Sequence, residues 1–213
     1  MSERFPAYDV LAKRRTPSWN ETTRRVIDQR LAIPREPRFF AEDEFQTLDA
    51  ICARIIPQGR ARPPVPLAAM VDAKLFNRIE DGYRDHRIPP AGVAWKCALH
   101  AINEEARRLK SAPFSALDTV DQDEMLQRCQ NGTLTSASWK GMDCALLFMK
   151  RLLPDIVSAY YSHPTAWSEI GFGGPASPRG YVRMDFDRRD PWEAAEAKPG
   201  RERQAAKENV RVG

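Results

Sequence analysis

The sequence predicts an all-α protein: a single helical domain of about five or six helices with an extended arm at each end. Three observations predict it. Apolar residues recur at three- and four-residue spacing in one segment after another. No segment shows the sustained alternation of a half-buried strand. Glycine and proline fall mostly between the periodic segments. The 213 residues suffice for one sizeable core, and a hydrophobic share of 42% with five tryptophans sets the chain apart from disordered sequences. No repeat of fixed period is visible.

Residues 1–38 form a basic, proline-punctuated arm with one short helical candidate, Glu21 to Leu31, whose Val26, Ile27 and Leu31 make a small apolar stripe. Such an arm has too few apolar residues for a core of its own and must lie across another surface. The helical domain spans residues 39–162. Its first helix opens at Phe39-Phe40 and runs to about Pro57, with Glu42, Asp43 and Glu44 on the first turn, where the helix dipole favours negative charge. Phe45, Leu48, Cys52, Ile55 and Ile56 give it one buried face. After an extended, proline-rich connector, a second helix is predicted from Leu67 to Tyr83, with Met70, Val71, Leu75, Ile79 and Tyr83 inward.

Pro89-Pro90 opens a third helix, since a helix start tolerates the missing N–H. It runs to about Lys110 over Val93, Cys97, Ala101 and Ile102. A shorter helix from about Val120 closes at Gln130 before Asn131-Gly132. Ser136 or Ser138 can cap the next, from about Trp139 to Leu153, with Trp139, Met142, Leu146, Met149 and Leu153 inward. Pro154 breaks or kinks it, and Ile156, Val157, Tyr160 and Tyr161 continue an apolar face to His163.

Residues 163–181 hold three prolines, four glycines and three aromatics. That density predicts an ordered irregular loop rather than helix. Trp167, Ile170, Phe172 and Tyr181 are too apolar for a solvated linker, so the loop needs a surface to lie on, either its own domain or another protein. Residues 182–213 read as a charged tail whose first ten residues touch something through Met184, Phe186 and Trp192, and whose remainder frays.

Charge and cysteine usage narrow the function. Residues 1–38 carry nine Lys/Arg against five Asp/Glu, which accounts for the whole net charge of +4. That modest excess reads as a solvated or docking arm more readily than as a nucleic-acid face. No apolar run approaches the length of a membrane helix. Arg14-Arg15 lacks the apolar stretch that follows a twin-arginine export signal, so a cytoplasmic protein is expected, or a periplasmic one exported on a partner's signal. Cys52, Cys97, Cys129 and Cys144 all lie within apolar patterns without a C-x-x-C pair, and read as free buried thiols.

No catalytic set assembles. His86, His100 and His163 fit no metal motif, and His100, beside Cys97 and Glu104, reads as a buried, hydrogen-bonded histidine. Gly171-Phe172-Gly173-Gly174 follows a helix rather than joining a strand to a helix start, so it is a poor phosphate cradle. Asp185, Asp187 and Asp190 alternate with arginines and lack the turn glycine of a calcium loop. No nucleophile, base and orienting group come together. The expectation is no catalytic residue, no bound cofactor and no metal in this chain.

Phe39-Phe40 before an acidic helix ending Ile55-Ile56-Pro57, and the late Trp167-Ser168-Glu169-Ile170-Gly171-Phe172 with Gly174-Pro175 and Gly180-Tyr181, resemble the gluconate 2-dehydrogenase subunit 3 family. The resemblance covers about Phe39 to Tyr181. It implies a small helical subunit without its own cofactor, clasping a large FAD-binding flavoprotein of the glucose–methanol–choline oxidoreductase type, often with a cytochrome c as a third component. It further implies a role in folding, stability and export of that partner, which oxidises a sugar or sugar acid. Family members usually carry a twin-arginine signal, from which this sequence departs. On this reading Trp19, His163, Trp167, Ile170, Phe172, Pro175 and Tyr181 are the expected partner-interface residues, since aromatics on a stiff loop lose little entropy on docking. Two competing readings are a stand-alone helical enzyme using His100 or Cys97, and a regulatory or nucleic-acid-binding module with a basic N-terminal arm.

Overall fold

The computed structural model describes residues 3–176, 180, 190 and 192–212. The fold is all-α, with nine α-helices and no strand among the described residues. The chain divides into two compact units, one of Ile33–Gly59 and Pro66–Ala159, the other of Met1–Ala32, Arg60–Val65 and Tyr160–Gly213. Where the sequence suggests a separate arm, loop and tail, the arm as far as Ala32 and the described parts of the loop and tail belong to that second unit.

The helical unit holds α2 (Glu42–Ile55), α3 (Leu67–Phe76), α4 (Ala91–Lys110), α5 (Thr119–Gln130), α6 (Cys144–Leu147) and most of α7 (Leu153–Tyr161). α2 starts where Glu44 reaches back to accept the Ala41 N–H at 2.9 Å, and it buries Thr47, Leu48, Ile51 and Cys52. α3 is buried on nearly every side. Its one acidic side chain, Asp72, is buried too, and accepts the backbone N–H groups of Arg38, Phe39 and Phe40 at 2.9–3.0 Å. A carboxylate with three donors tolerates burial that an unpaired one would not.

The helix predicted to reach Tyr83 ends at Phe76. Arg78 turns into the left-handed region at φ 54°, which a helix cannot continue through, and Ile79 and Tyr83 are left 56% and 85% exposed. α4 follows its proline start as expected and buries Cys97, Ala101 and Ile102, but Val93 on its first turn faces out. Asn103 ties α4 to the rest. It donates to Thr47 Oγ1 at 2.7 Å and accepts the Phe114 N–H at 3.0 Å, while Gln122 takes the Phe114 carbonyl at 3.1 Å. The Phe114 N–H, which opens a short 3-10 turn, is thereby satisfied.

Asp118 caps α5, accepting the Asp121 N–H at 2.8 Å. The next helix begins at Cys144, not Trp139, because Asp143 supplies the cap, accepting the N–H groups of Ala145 and Leu146 at 2.9 and 3.1 Å. Phe148–Leu152 is a π-helical turn between α6 and α7. The wider turn rotates the inward face, so Phe148, Arg151 and Leu152 are buried and Met149, expected in the core, is exposed. The helix passes through Pro154 without breaking, because the proline sits immediately after that turn. Asp155 closes this region, accepting Trp95 Nε1 at 2.7 Å and Lys74 Nζ at 2.9 Å.

The other unit has its own core of Phe5, Tyr8, Val10, Trp19, Ile27, Trp167 and Val212. It contains a 3-10 turn at Val10–Arg15, α1 (Glu21–Leu31), α8 (Pro164–Ile170) and α9 (Glu202–Asn209). The arm therefore builds a core with help from the tail. The described residues 192–212 of the tail are tied down: Asn209 accepts the Ala195 N–H at 2.6 Å and donates to the Pro6 carbonyl at 2.9 Å, and Val212 is buried. Of the predicted α1 stripe only Ile27 is covered, Val26 and Leu31 being exposed. Met184 and Phe186 lie outside the described residues.

Candidate partner interface

The stretch that reads as an irregular loop from His163 onward begins with a helix. His163 caps α8, its Nδ1 accepting the Thr165 N–H at 3.2 Å, and Pro164 occupies the first helical position. Proline there costs nothing, because that N–H has no helical partner. The helix lasts two turns, until Gly171 takes φ +71° and its N–H returns to the Trp167 carbonyl. The irregular path begins only after that glycine.

Trp167 is the post around which this region is arranged. Its Nε1 donates to the Tyr161 carbonyl at 2.6 Å, the Phe172 ring meets it edge-on at 5.9 Å, and the Arg30 guanidinium lies 5.8 Å from its ring centre. Ser168 locks α8 to the arm, accepting the Val10 N–H at 3.0 Å and donating to the Pro164 carbonyl at 3.1 Å. Lys13, fully buried, donates to the carbonyls of Trp192 at 2.5 Å and Gly173 at 3.3 Å. Gly174, at φ +68°, lets the backbone pass so close that a Cβ would come within 3.1 Å of Val10 and 3.2 Å of Trp19.

The seven expected interface residues separate into distinct groups. Trp19, His163 and Trp167 are buried by this chain. The Trp19 ring lies in the shared core, His163 is engaged in its cap, and Trp167 is engaged with Tyr161 and Phe172. Ile170 and Phe172 are presented to solvent, 44% and 41% exposed, on either side of Gly171. Pro175 is half-buried, and Tyr181 lies outside the described residues. Tyr161 is a surface residue that sequence reasoning misses. It is half exposed next to α8, and its place at the end of an apolar helical face gives no sign of that.

The remaining chemistry is sparse. The glycines at 171–174 meet α8 at its carbonyl end, the wrong polarity for a phosphate. Cys97 and His100 line a cavity of about 650 Å³ with Arg84, Arg87, Lys96 and Lys140. His100 is exposed there, against the expectation of burial, and burial pushes the Cys97 thiol up, away from the reactive thiolate. No hydrogen bond joins the two, and no group of three metal-ligating side chains occurs among the described residues. Among those residues no helix is long and apolar enough to cross a membrane.

Among the described residues the fold is all-α, and the candidate site is a pair of apolar side chains presented on either side of Gly171. The chain belongs to the gluconate 2-dehydrogenase subunit 3 family, whose model matches residues 42–174. The match runs from the start of α2 to the end of the glycine stretch, while the arm and the tail that complete the Trp167 core lie outside it. No curated protein and no solved structure matches the chain. Family membership points to an accessory subunit of a dehydrogenase complex.

Proposed function

We propose that this chain is the small, non-catalytic subunit of an FAD-dependent dehydrogenase complex that oxidises a sugar or glycoside. It stabilises a large flavoprotein of the glucose–methanol–choline type and assists its folding. The flavin and the substrate pocket belong to that partner. The observation that carries the reading is the family match over residues 42–174.

Ile170 and Phe172 are the anchors that reach the partner, held at fixed positions by Gly171 and by the Trp167 ring behind them. Apolar side chains on an ordered support dock with little loss of conformational freedom. A nucleic-acid role for the basic arm finds less support. Lys13 is buried, and Arg4 and Arg14 are paired with Glu196 and Asp28, so part of the arm's charge is already engaged within the chain. The test is co-expression of this chain with a large FAD-dependent dehydrogenase subunit from the same genome. The wild-type chain should co-elute with flavin on size exclusion. The Ile170→Glu, Phe172→Glu double variant should elute alone while keeping its helical circular dichroism. A double variant that still co-elutes would move the interface elsewhere.

A further inference from the structure

The cavity at Cys97 and His100 carries charge of one sign and takes no part in the accessory role. It lies wholly within the helical unit and is lined by one face of α4 and by two turns, at 84–89 and 138–142. Val93, Lys96, Cys97 and His100 share that face because they recur at three- and four-residue spacing. The second turn is held against it, the Cys97 thiol donating to the carbonyls of Ser138 and Trp139 at 3.7 and 3.9 Å. Both turns are fixed by their own backbone. The Lys140 N–H donates to the Ala137 carbonyl at 3.0 Å and the Met142 N–H to the Trp139 carbonyl at 2.9 Å, while the Ile88 N–H donates to the Asp85 carbonyl at 3.0 Å.

Among the described residues, four cationic side chains line this space and no carboxylate does. Arg87 is answered by Asp85, which accepts its Nε and Nη2 at 3.0 and 2.7 Å. Lys96 is answered only loosely, with Glu44 at 3.5 Å and the Phe39 ring centre at 5.2 Å. Arg84 and Lys140 make no ion pair with any described residue; Arg84 donates instead to the Ile88 carbonyl, which fixes its position and leaves its charge. The surplus is local. Further along α4, Arg107 and Arg108 are paired with Glu104 and Glu105. Uncompensated cations around one concave, low-dielectric wall concentrate a positive potential there. The same wall is partly apolar: Ile88 and Met142 line it, and so does Val93, which α4 leaves 58% exposed.

We propose that this cavity binds a small amphipathic organic anion, a carboxylate on an apolar body. Arg84, Lys96 and Lys140 hold its charge, and Ile88, Val93 and Met142 take its body. A bare inorganic anion would use the cations and leave the apolar lining wet. A neutral hydrocarbon would cover that lining and leave the cations unanswered. Only a ligand with both parts satisfies both kinds of wall, and about 650 Å³ is the size of an ordinary organic-ligand site. The cost of ordering the site is low, because both turns are already set by backbone hydrogen bonds. This inference stands on the helical unit alone and does not depend on the partner reading.

The experiment titrates the purified full chain with sodium octanoate by calorimetry, with octanol and sodium acetate as probes that each keep one half of the ligand. Octanoate should saturate the chain, and each half-probe should bind at least roughly tenfold more weakly. Raising salt from about 0.05 M to about 0.5 M should weaken octanoate severalfold. Acetic anhydride footprinting of the wild-type chain locates the ligand without requiring any variant to fold: octanoate should slow acetylation of Lys96 and Lys140 and leave Lys150, exposed in the same unit outside the cavity, unchanged. Lys140→Glu should weaken octanoate at least roughly tenfold, and Lys140→Arg should restore it. No saturable octanoate binding below about 10 mM, octanol or acetate binding as tightly as octanoate, or protection of Lys150 together with Lys96 and Lys140 would overturn the proposal.

Discussion

Gly171→Ala tests how the arm is held against the α8 turn. At φ +71° an alanine pays the left-handed backbone penalty, about 1 kcal/mol. Its Cβ would also lie 2.6 Å from two ring atoms of Phe5 and 2.8 Å from a third, so the ring must move from its place in the shared core. Overpacking of this kind adds about 1–3 kcal/mol, for a total of about 2–4 kcal/mol. In a Phe5→Ala background the ring is gone and only the backbone penalty remains, so there the same substitution should cost about 1 kcal/mol. The difference is a coupling energy of about 1–3 kcal/mol between residues 166 positions apart in sequence. Urea unfolding followed by tryptophan emission measures all four members of the cycle. Equal costs of Gly171→Ala in the two backgrounds would refute the packing of the arm on this turn.

Asp72→Ala should destabilise the helical unit by about 2–4 kcal/mol, because one buried and two part-buried N–H groups lose their acceptor at once. Asp72→Asn, which keeps one oxygen, should cost less, and the urea midpoints rank the two. Glu105 is buried and accepts from Arg108 and from the Ser136 N–H. Burial resists its ionisation, but these donors prevail and hold the folded carboxyl below its ordinary value of 4.5. Its stabilisation is therefore complete above that value and lost as pH falls through the folded one. Glu105→Gln should cost about 1–3 kcal/mol at pH 7, with the gap to wild type closing in acid, as thermal melts across pH 3–7 would register. Trp167→Ala removes the post itself and should lower stability by about 3–5 kcal/mol, whereas Ile170→Glu should leave the melting temperature within a few degrees and weaken partner capture by roughly tenfold or more. Melting and capture measured on the same two variants separate support from anchor.

Some helix boundaries are readable in the sequence, because they are decided locally. The acidic first turn of α2, the prolines before α4 and the Asn-Gly after α5 each name a boundary by chemistry that acts within a few residues. Ends that depend on a single backbone torsion are not readable. Arg78 gives no sign that it will turn left-handed, so the periodicity places Ile79 and Tyr83 on a core face they never join. The π-helical turn at Phe148–Leu152 is likewise silent in the apolar pattern, yet it rotates Met149 out of the core.

At the candidate site the residue types are legible and their depth is not. Density of glycine, proline and aromatics marks residues 163–181 as special. Whether Trp167 faces in or out depends on Phe5, Tyr8 and Val212, which come from the two ends of the chain and carry no local signal. Pro164 adds to the pattern of an irregular loop and yet starts a helix, since proline is excluded from helix interiors and not from first turns.

The most direct test of the accessory-subunit account is the flavin content of the complex. Tagged chain purified from its own host by size exclusion should carry flavin absorbance in a fraction that also contains a large dehydrogenase subunit. Expressing that large subunit without this chain should lower the yield of flavin-loaded protein severalfold. Full flavin loading of the large subunit in the absence of this chain, together with a tagged chain that elutes free of flavin, would contradict it.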